Sequence, residues 1–200
     1  MGGSMSNLLI RRRQRRRLLV RRRILLFVVM PLLVLCASYF IFTRYFVINI
    51  TDSMPIGLYK KVDINNLENG DIVSVCLDNN KARLAIQNSI IVANEQCNNG
   101  SQMLIKEIIA TPNDQIEITE TDMDVTLGDT VYRYPAPRYS FSPRTKEPVL
   151  TLISTGTYRS TGYWLYGSYD YEKSWDSRYF GEVVKENIIN KLEPIFVRGK

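Results

Sequence analysis

The sequence predicts a mainly β domain carried on a single N-terminal transmembrane helix. Two observations carry this expectation: an uncharged apolar run close to the start, and beyond it a series of short β-branched and aromatic stretches separated by turn residues. With 200 residues the chain has room for one ordinary domain and an appendage. The expected organisation is a basic tail (1–23), a membrane helix (24–42) and an extracytoplasmic domain (43–200).

The apolar run, Ile24 to Phe42, is ILLFVVMPLLVLCASYFIF, 19 residues without a charge. As a helix it nearly matches a hydrocarbon core of about 30 Å. Pro31 is tolerable there, because neighbouring groups in a membrane helix can satisfy the freed carbonyl. The run is too long for a typical signal-peptide core and no A-x-A-like cleavage site follows, so it reads as a retained anchor. The opening MGGSMS fits a myristoylation signal only superficially and reads as a cloning remnant ahead of a native Met5.

The net charge of +6 would fit a nucleic-acid binder if it were spread over the chain. Instead nine arginines lie between Arg11 and Arg23, and no acidic residue precedes Asp52. From Tyr45 onward 16 Lys and Arg face 20 Asp and Glu, a balance of −4. The basic tail therefore reads as a cytoplasmic topology signal in contact with anionic lipid, not with nucleic acid, and directs everything after Arg44 outward.

The outer part is read as strands at Tyr45–Ile50, Asp71–Leu77, Met103–Ala110, Gln115–Thr119 and Thr130–Tyr134, with turns at ENG, PND and LGD. Asn80–Gln87 and Val184–Lys191 are the two short helix candidates, and Pro135–Pro148 reads as an exposed loop. Asn49-Ile-Thr51 and Asn99-Gly-Ser101 fit glycosylation sequons, a pattern that also arises by chance. Cys36 lies within the anchor and reads as a packing residue. Cys76 and Cys97 lie outside, where an oxidising compartment permits a disulfide closing a loop of about 20 residues; two free thiols are the alternative.

The chain has no histidine, which excludes Ser-His and Cys-His pairs and imidazole-ligated zinc. A base must then be Lys, Asp, Glu or a terminal amine. In an extended strand Lys106 shares a face with Leu104, Ile108 and Ala110. Burial on such a face lowers an amine pKa from about 10.4 and yields a neutral base near neutral pH. Taken alone, the strand favours a lysine that snorkels out at a sheet edge. A partner for a neutral lysine stands in ITDSMPIGLYKK: Met54 before Pro55 is pushed toward extended backbone, and Gly57 allows a sharp bend, which presents Ser53 on a rigid corner. In SWDSR, extended backbone would put Ser174, Asp176 and Arg178 on one side, a hydroxyl beside an acid-base pair suited to holding an amine.

These stretches, TDSMPIGLY, LIKEIIATPNDQI and YGSYDYEKSWDSRYFG, in this order behind an N-terminal anchor, resemble the type I signal peptidases, and within them the conjugative-transfer peptidases of the TraF type. The resemblance runs from about Ile24 to the C-terminus, and the paired cysteines between the first and second motifs match the TraF type. It implies a signal-peptidase-like β domain in which Ser53 is the nucleophile and Lys106 the general base. The Thr51 hydroxyl and the Ser53 N–H would form the oxyanion hole. Ser174 would orient Lys106, and Asp176 with Arg178 would brace that loop. No cofactor or metal is implied. The implied substrates are membrane-tethered precursors such as pilin subunits, and the implied location is the bacterial inner membrane with the catalytic domain periplasmic.

The chain departs from the family in having Glu107 where relatives often carry a basic residue, Asn113-Asp114 for a Gly-Asp turn, and GSYDYEK for a Gly-Asp-Asn start. These departures favour the specialised subgroup over a housekeeping role. Two other readings use the same residues differently. A LexA-like self-cleaving regulator also pairs Ser with Lys, but an apolar 19-mer and the lack of a helix-turn-helix pattern argue against it. A catalytically silent scaffold of a conjugation apparatus fits the anchor and the domain alike.

The topology is directly testable. In intact spheroplasts added protease should degrade the domain beyond residue 43 and spare the arginine tail; cleavage within the tail would reverse the orientation.

Overall fold

The computed structural model describes residues 21–139 and 148–199. The tail through residue 20 lies outside the described residues, as does the 140–147 part of the loop expected at Pro135–Pro148. The chain divides into two compact units, one ending at Tyr45 and one beginning at Phe46.

In the first unit, residues Arg21–Tyr45 form one helix, α1, long and apolar enough to cross a membrane. Its length, about 37 Å at 1.5 Å per residue, exceeds a hydrocarbon core of about 30 Å. Its apolar side chains are exposed all round within the unit, as lipid rather than protein would require. Just before Pro31 the helix widens into a π turn over Leu25–Val29, with the Met30 N–H bonded to the Leu25 carbonyl. This helix is compatible with a single-pass anchor.

The described residues of the second unit form ten strands: β1 (Phe46–Asn49), β2 (Gly57–Val62), β3 (Ile72–Val75), β4 (Leu104–Ala110), β5 (Gln115–Ile118), β6 (Asp122–Leu127), β7 (Thr130–Pro135), β8 (Gly156–Arg159), β9 (Trp164–Tyr166) and β10 (Ile188–Val197). They form a six-stranded sheet in the order β1-β2-β10-β3-β4-β9 and a four-stranded sheet in the order β7-β6-β5-β8. Every pairing is antiparallel. Two short helices complete it, α2 (Asn79–Gln87) and α3 (Ser177–Phe180). The chain is thus mainly β with one N-terminal apolar helix.

Alternation of apolar and polar residues explains most of the strands. In β5 Ile116 and Ile118 are buried, and in β6 Met123 and Val125, and these four meet Ile109, Ala110, Trp164 and Tyr166 of the larger sheet in one core. A second core gathers Val73, Val75, Ile108 and Leu165 with Ala82 and Ala85 of α2 and Trp175, Tyr179 and Phe180 around α3. Asp78 caps α2, accepting from the Asn80 and Lys81 N–H groups. A third, smaller core, Met54, Tyr59, Ile105 and Leu192, underlies the turn between β1 and β2.

Three expectations are corrected. Val184–Lys191 is not a helix: after a single 3-10 turn at Lys185–Asn187 the chain enters β10, which lies between β2 and β3. Ile188 and Leu192 are both buried, and a separation of four fits either period, so strand pairing decides. Pro194, unfavourable inside a strand, is accommodated by a bulge between Pro194 and Phe196. Gly57 does not make a bend; it opens β2, and a Cβ there would lie 2.2 Å from the Phe196 carbonyl oxygen. Lastly, residues 136–139 are not a free loop, since Ala136 is buried and its N–H bonds to Thr121 O.

Asn113, in the Asn113-Asp114 turn, adopts φ 80°. Asparagine is one of the few residues that tolerates this region, so the turn is kept.

Cys76 and Cys97, 21 positions apart in the sequence, are joined in a disulfide with Cα atoms 5.7 Å apart. It closes the excursion that contains α2. Loop-closure entropy makes such a bridge worth about 3 kcal/mol. Cys76→Ser should lower the unfolding free energy of the full-length protein, read from urea denaturation, by that amount, and a reductant should do the same to the wild type and nothing to the variant.

Candidate active site

Lys106 lies in the middle of β4, paired with Val73 of β3, and β4 is itself flanked by β3 and β9. It is therefore an interior position, and the side chain is only 3% exposed, which removes the snorkelling alternative. Leu104 and Ile108 pack in the same core on either side, whereas a bulge between Ile108 and Ala110 sends Ala110 into the other core. Its amine donates to the Ser174 hydroxyl at 2.7 Å, its one hydrogen-bond partner among the described residues. Burial pushes the Lys106 pKa down to about 8; Asp176 acts against this and Arg178 reinforces it.

Ser174 donates its own proton to Asp176 Oδ2 at 2.7 Å, so its oxygen is left to accept from Lys106. The direction of this chain is fixed by chemistry, because a hydroxyl has one proton to give. Asp176 is fully buried. Besides Ser174 it accepts from the Gly167 N–H (3.0 Å), from Arg178 Nε (2.8 Å) and Nη2 (3.0 Å), and from the Arg178 N–H (3.2 Å). Burial pulls the Asp176 carboxyl upward, but Arg178 outweighs it and holds the pKa below its ordinary value. Arg178 is thus the larger charge balancing the carboxylate, and Lys106 the smaller one.

Arg178 is also fully buried, with its guanidinium 5.3 Å from the ring centres of both Tyr166 and Tyr179. Nη2 further donates to Tyr171 O (2.6 Å) and Ser174 O (2.9 Å). The Ser174–Arg178 stretch is not extended throughout: Asp176 caps α3, so Arg178 sits in the first turn of a helix. The three residues still converge, because the capping carboxylate and the helical guanidinium meet.

Ser53 stands in the turn between β1 and β2, partly exposed. Met54 beside it is buried and fixes the turn in the third core. The turn meets the 167–174 segment at Tyr169 N–H to Ser53 O (3.3 Å), Ser168 hydroxyl to Met54 Sδ (3.6 Å) and the Lys173–Asp52 ion pair (3.7 Å). A Cβ on Gly167 would lie 2.1 Å from Ser174 Oγ and 3.2 Å from Ser53 Cβ. Ser53 and Ser174, the latter bonded to Lys106, therefore approach one another closely over Gly167, where a side chain would collide with both. The Thr51 hydroxyl donates to Asn49 Oδ1 at 2.7 Å. Cys76 and Cys97 have no place in this cluster's hydrogen-bond network and serve the α2 excursion.

Gly167, Asn49 and the two tyrosines flanking Arg178 escape the sequence reading. Tyr166, Gly167 and Tyr179 stand within the YGSYDYEKSWDSRYFG stretch with no role assigned to them, and Asn49 only as the first residue of an Asn-Ile-Thr pattern.

Comparison with known families decides the class. The family described as signal peptidase, peptidase S26, matches residues 20–197. The chain belongs to this signal peptidase family. No curated protein matches it. Membership makes it a signal-peptidase-type serine protease, a class that cleaves precursor proteins.

The Lys106 shift fixes a pH dependence. With a pKa of about 8, roughly a tenth of the amine is neutral at pH 7, against about one part in three thousand for an ordinary lysine. Activity should rise with pH through a midpoint near 8 and level off above it; a rate flat from pH 6 to 9 would exclude Lys106 as the titrating base.

Proposed function

We propose that the protein is a membrane-anchored endopeptidase with a Ser53–Lys106 dyad, acting on precursors tethered to the bacterial cytoplasmic membrane. The observation that carries this reading is the buried Lys106 amine, hydrogen-bonded to the Ser174 hydroxyl, with Ser174 and Ser53 approaching one another closely over Gly167. Neutral Lys106 takes the proton from the Ser53 hydroxyl as its oxygen attacks the scissile carbonyl. The oxyanion is held by the Ser53 N–H and the Thr51 hydroxyl; one such donor is worth about 3 kcal/mol of transition-state stabilisation. Protonated Lys106 then passes its proton to the leaving amine, and the acyl chain remains on Ser53 as an ester. Water, or an amine of the substrate, resolves the ester and restores the hydroxyl.

Ser174 holds the amine toward Ser53, and Asp176 with Arg178 keeps Ser174 in place. The tail faces the cytoplasm and the catalytic unit lies outside. Ser53 follows Phe42 by 11 residues, a reach of at most about 36 Å, which suits a substrate held at the same membrane. The preferred substrate class is a pilin-like subunit of a conjugation or type IV secretion apparatus, a reading supported by the TraF-type order of motifs and the Cys76–Cys97 bridge between the first and second. Hydrolysis and cyclisation are two fates of the one ester.

The test is an assay in membranes with a pilin precursor, comparing the wild type with Ser53→Ala and Lys106→Ala. Both variants should leave the precursor uncut, and mass spectrometry of the wild-type product should show either a linear chain or one lighter by a water. Full processing by either variant overturns the dyad.

A further inference from the structure

We propose that Asn49 is a positioning residue for the nucleophile turn, holding the Thr51 oxygen and the Ser53 backbone where the oxyanion forms; this rests on the Ser53–Lys106 reading. Asn49 ends β1 and is 2% exposed. Its Nδ2 group donates to the carbonyls of Thr51 (3.0 Å), Met54 (2.9 Å) and Pro55 (3.1 Å). Its Oδ1 accepts from the Thr51 N–H (3.0 Å) and the Thr51 hydroxyl (2.7 Å). Carbonyls only accept and a backbone N–H only donates, so the orientation of the amide is set by its partners. One side chain thus satisfies the turn that leaves the sheet after β1, with Ser53 at its centre.

The Thr51 hydroxyl has a single proton, and at rest that proton lies on Asn49. A hydrogen bond to a charged acceptor is roughly twice as strong as one to a neutral acceptor. As negative charge develops on the substrate carbonyl oxygen, the O–H rotates to it while the Thr51 oxygen stays in place, and the Thr51 N–H keeps Asn49 engaged. Asn49 therefore supplies the geometry and releases the proton without moving the turn.

The fold contains its own control. Asn99 makes the same local motif, its Oδ1 accepting from the Ser101 N–H (3.2 Å) and hydroxyl (2.7 Å) and its Nδ2 donating to Leu77 O (2.8 Å), in the excursion closed by the disulfide. If such a motif only stabilises turns, the two asparagines should behave alike.

The experiment measures kcat, KM and Tm of the full-length protein on a membrane-tethered precursor, at a temperature where each variant keeps the wild-type circular dichroism. Asn99→Ala should lower Tm and leave kcat unchanged. Asn49→Ala should lower kcat by about 10²-fold, the usual effect of a misplacement near 1 Å, with KM within about twofold of wild type. Thr51→Val should lower kcat by about 10²–10³-fold, and adding Asn49→Ala to it should cost less than about threefold more. If Asn49→Ala does not fold, the isosteric Asn49→Asp keeps the oxygen for Thr51 but sets a second oxygen against three carbonyls, and should lose kcat to the same order. Wild-type kcat in either Asn49 variant, full multiplication with Thr51→Val, an equal kcat loss in Asn99→Ala, or failure of both Asn49 variants to fold would overturn the proposal. Processing by Ser53→Ala would instead sink the reading beneath it.

Discussion

The buried ion pair between Asp176 and Arg178 is the interaction on which the rest of the site depends. Lys106 can be neutral inside the protein only if no unbalanced negative charge faces it, and Asp176 lies one hydroxyl away. Arg178 removes that charge through a two-point contact, at 2.8 and 3.0 Å, and is held in turn by backbone carbonyls and two tyrosine rings. The trio with a neutral lysine carries no net charge; with an ammonium it carries one positive charge in a place water does not reach. Taking away one member of a buried pair costs about 3–5 kcal/mol, so the arrangement is rigid as well as electrically balanced. Rigidity matters because Ser174, which carries the contact to Lys106, is fixed by that same carboxylate.

Much of this was legible in the sequence, for identifiable reasons. The anchor announces itself by length and lack of charge. A strand with buried β-branched residues at every second position, such as β5, is read from alternation, and β4 from its run of apolar and β-branched residues. What the sequence hid is non-local. β10 reads as a helix between residues 184 and 191 because Ile188 and Leu192 fit either period, and only its place between β2 and β3 settles it. β2 is short and carries two lysines, and β8 and β9 are too brief to stand out.

In the site, residue types that carry chemistry stood out against a chain without histidine, whereas the residues that shape the space did not. Gly167 matters for what it lacks, and nothing in a one-letter code distinguishes it from a turn glycine. Asn49 and Asn99 both begin Asn-X-Ser/Thr patterns. In the fold both use their side-chain oxygen to hold the residue two positions on, and Asn49 is buried with its amide and oxygen engaged. The pattern here marks a backbone turn, which is a different physical reason for the same three letters.

The place of β10 has a consequence for how the enzyme comes into being. Ser53 belongs to the β1-β2 hairpin, and Lys106 to β4 in the β3-β4-β9 group. These two groups share no strand pairing, and β10, which follows all of them in the chain, is the strip that joins them. Without it Ser53 and Lys106 belong to separate pieces of sheet, held together only by the packing of Met54 and Tyr59 on Ile105 and by the contacts of the turn with the 167–174 segment. Closing such a long-range pairing is entropically slow. On the proposed Ser53–Lys106 reading, the candidate site is therefore complete only once the last strand of the domain has found its two neighbours.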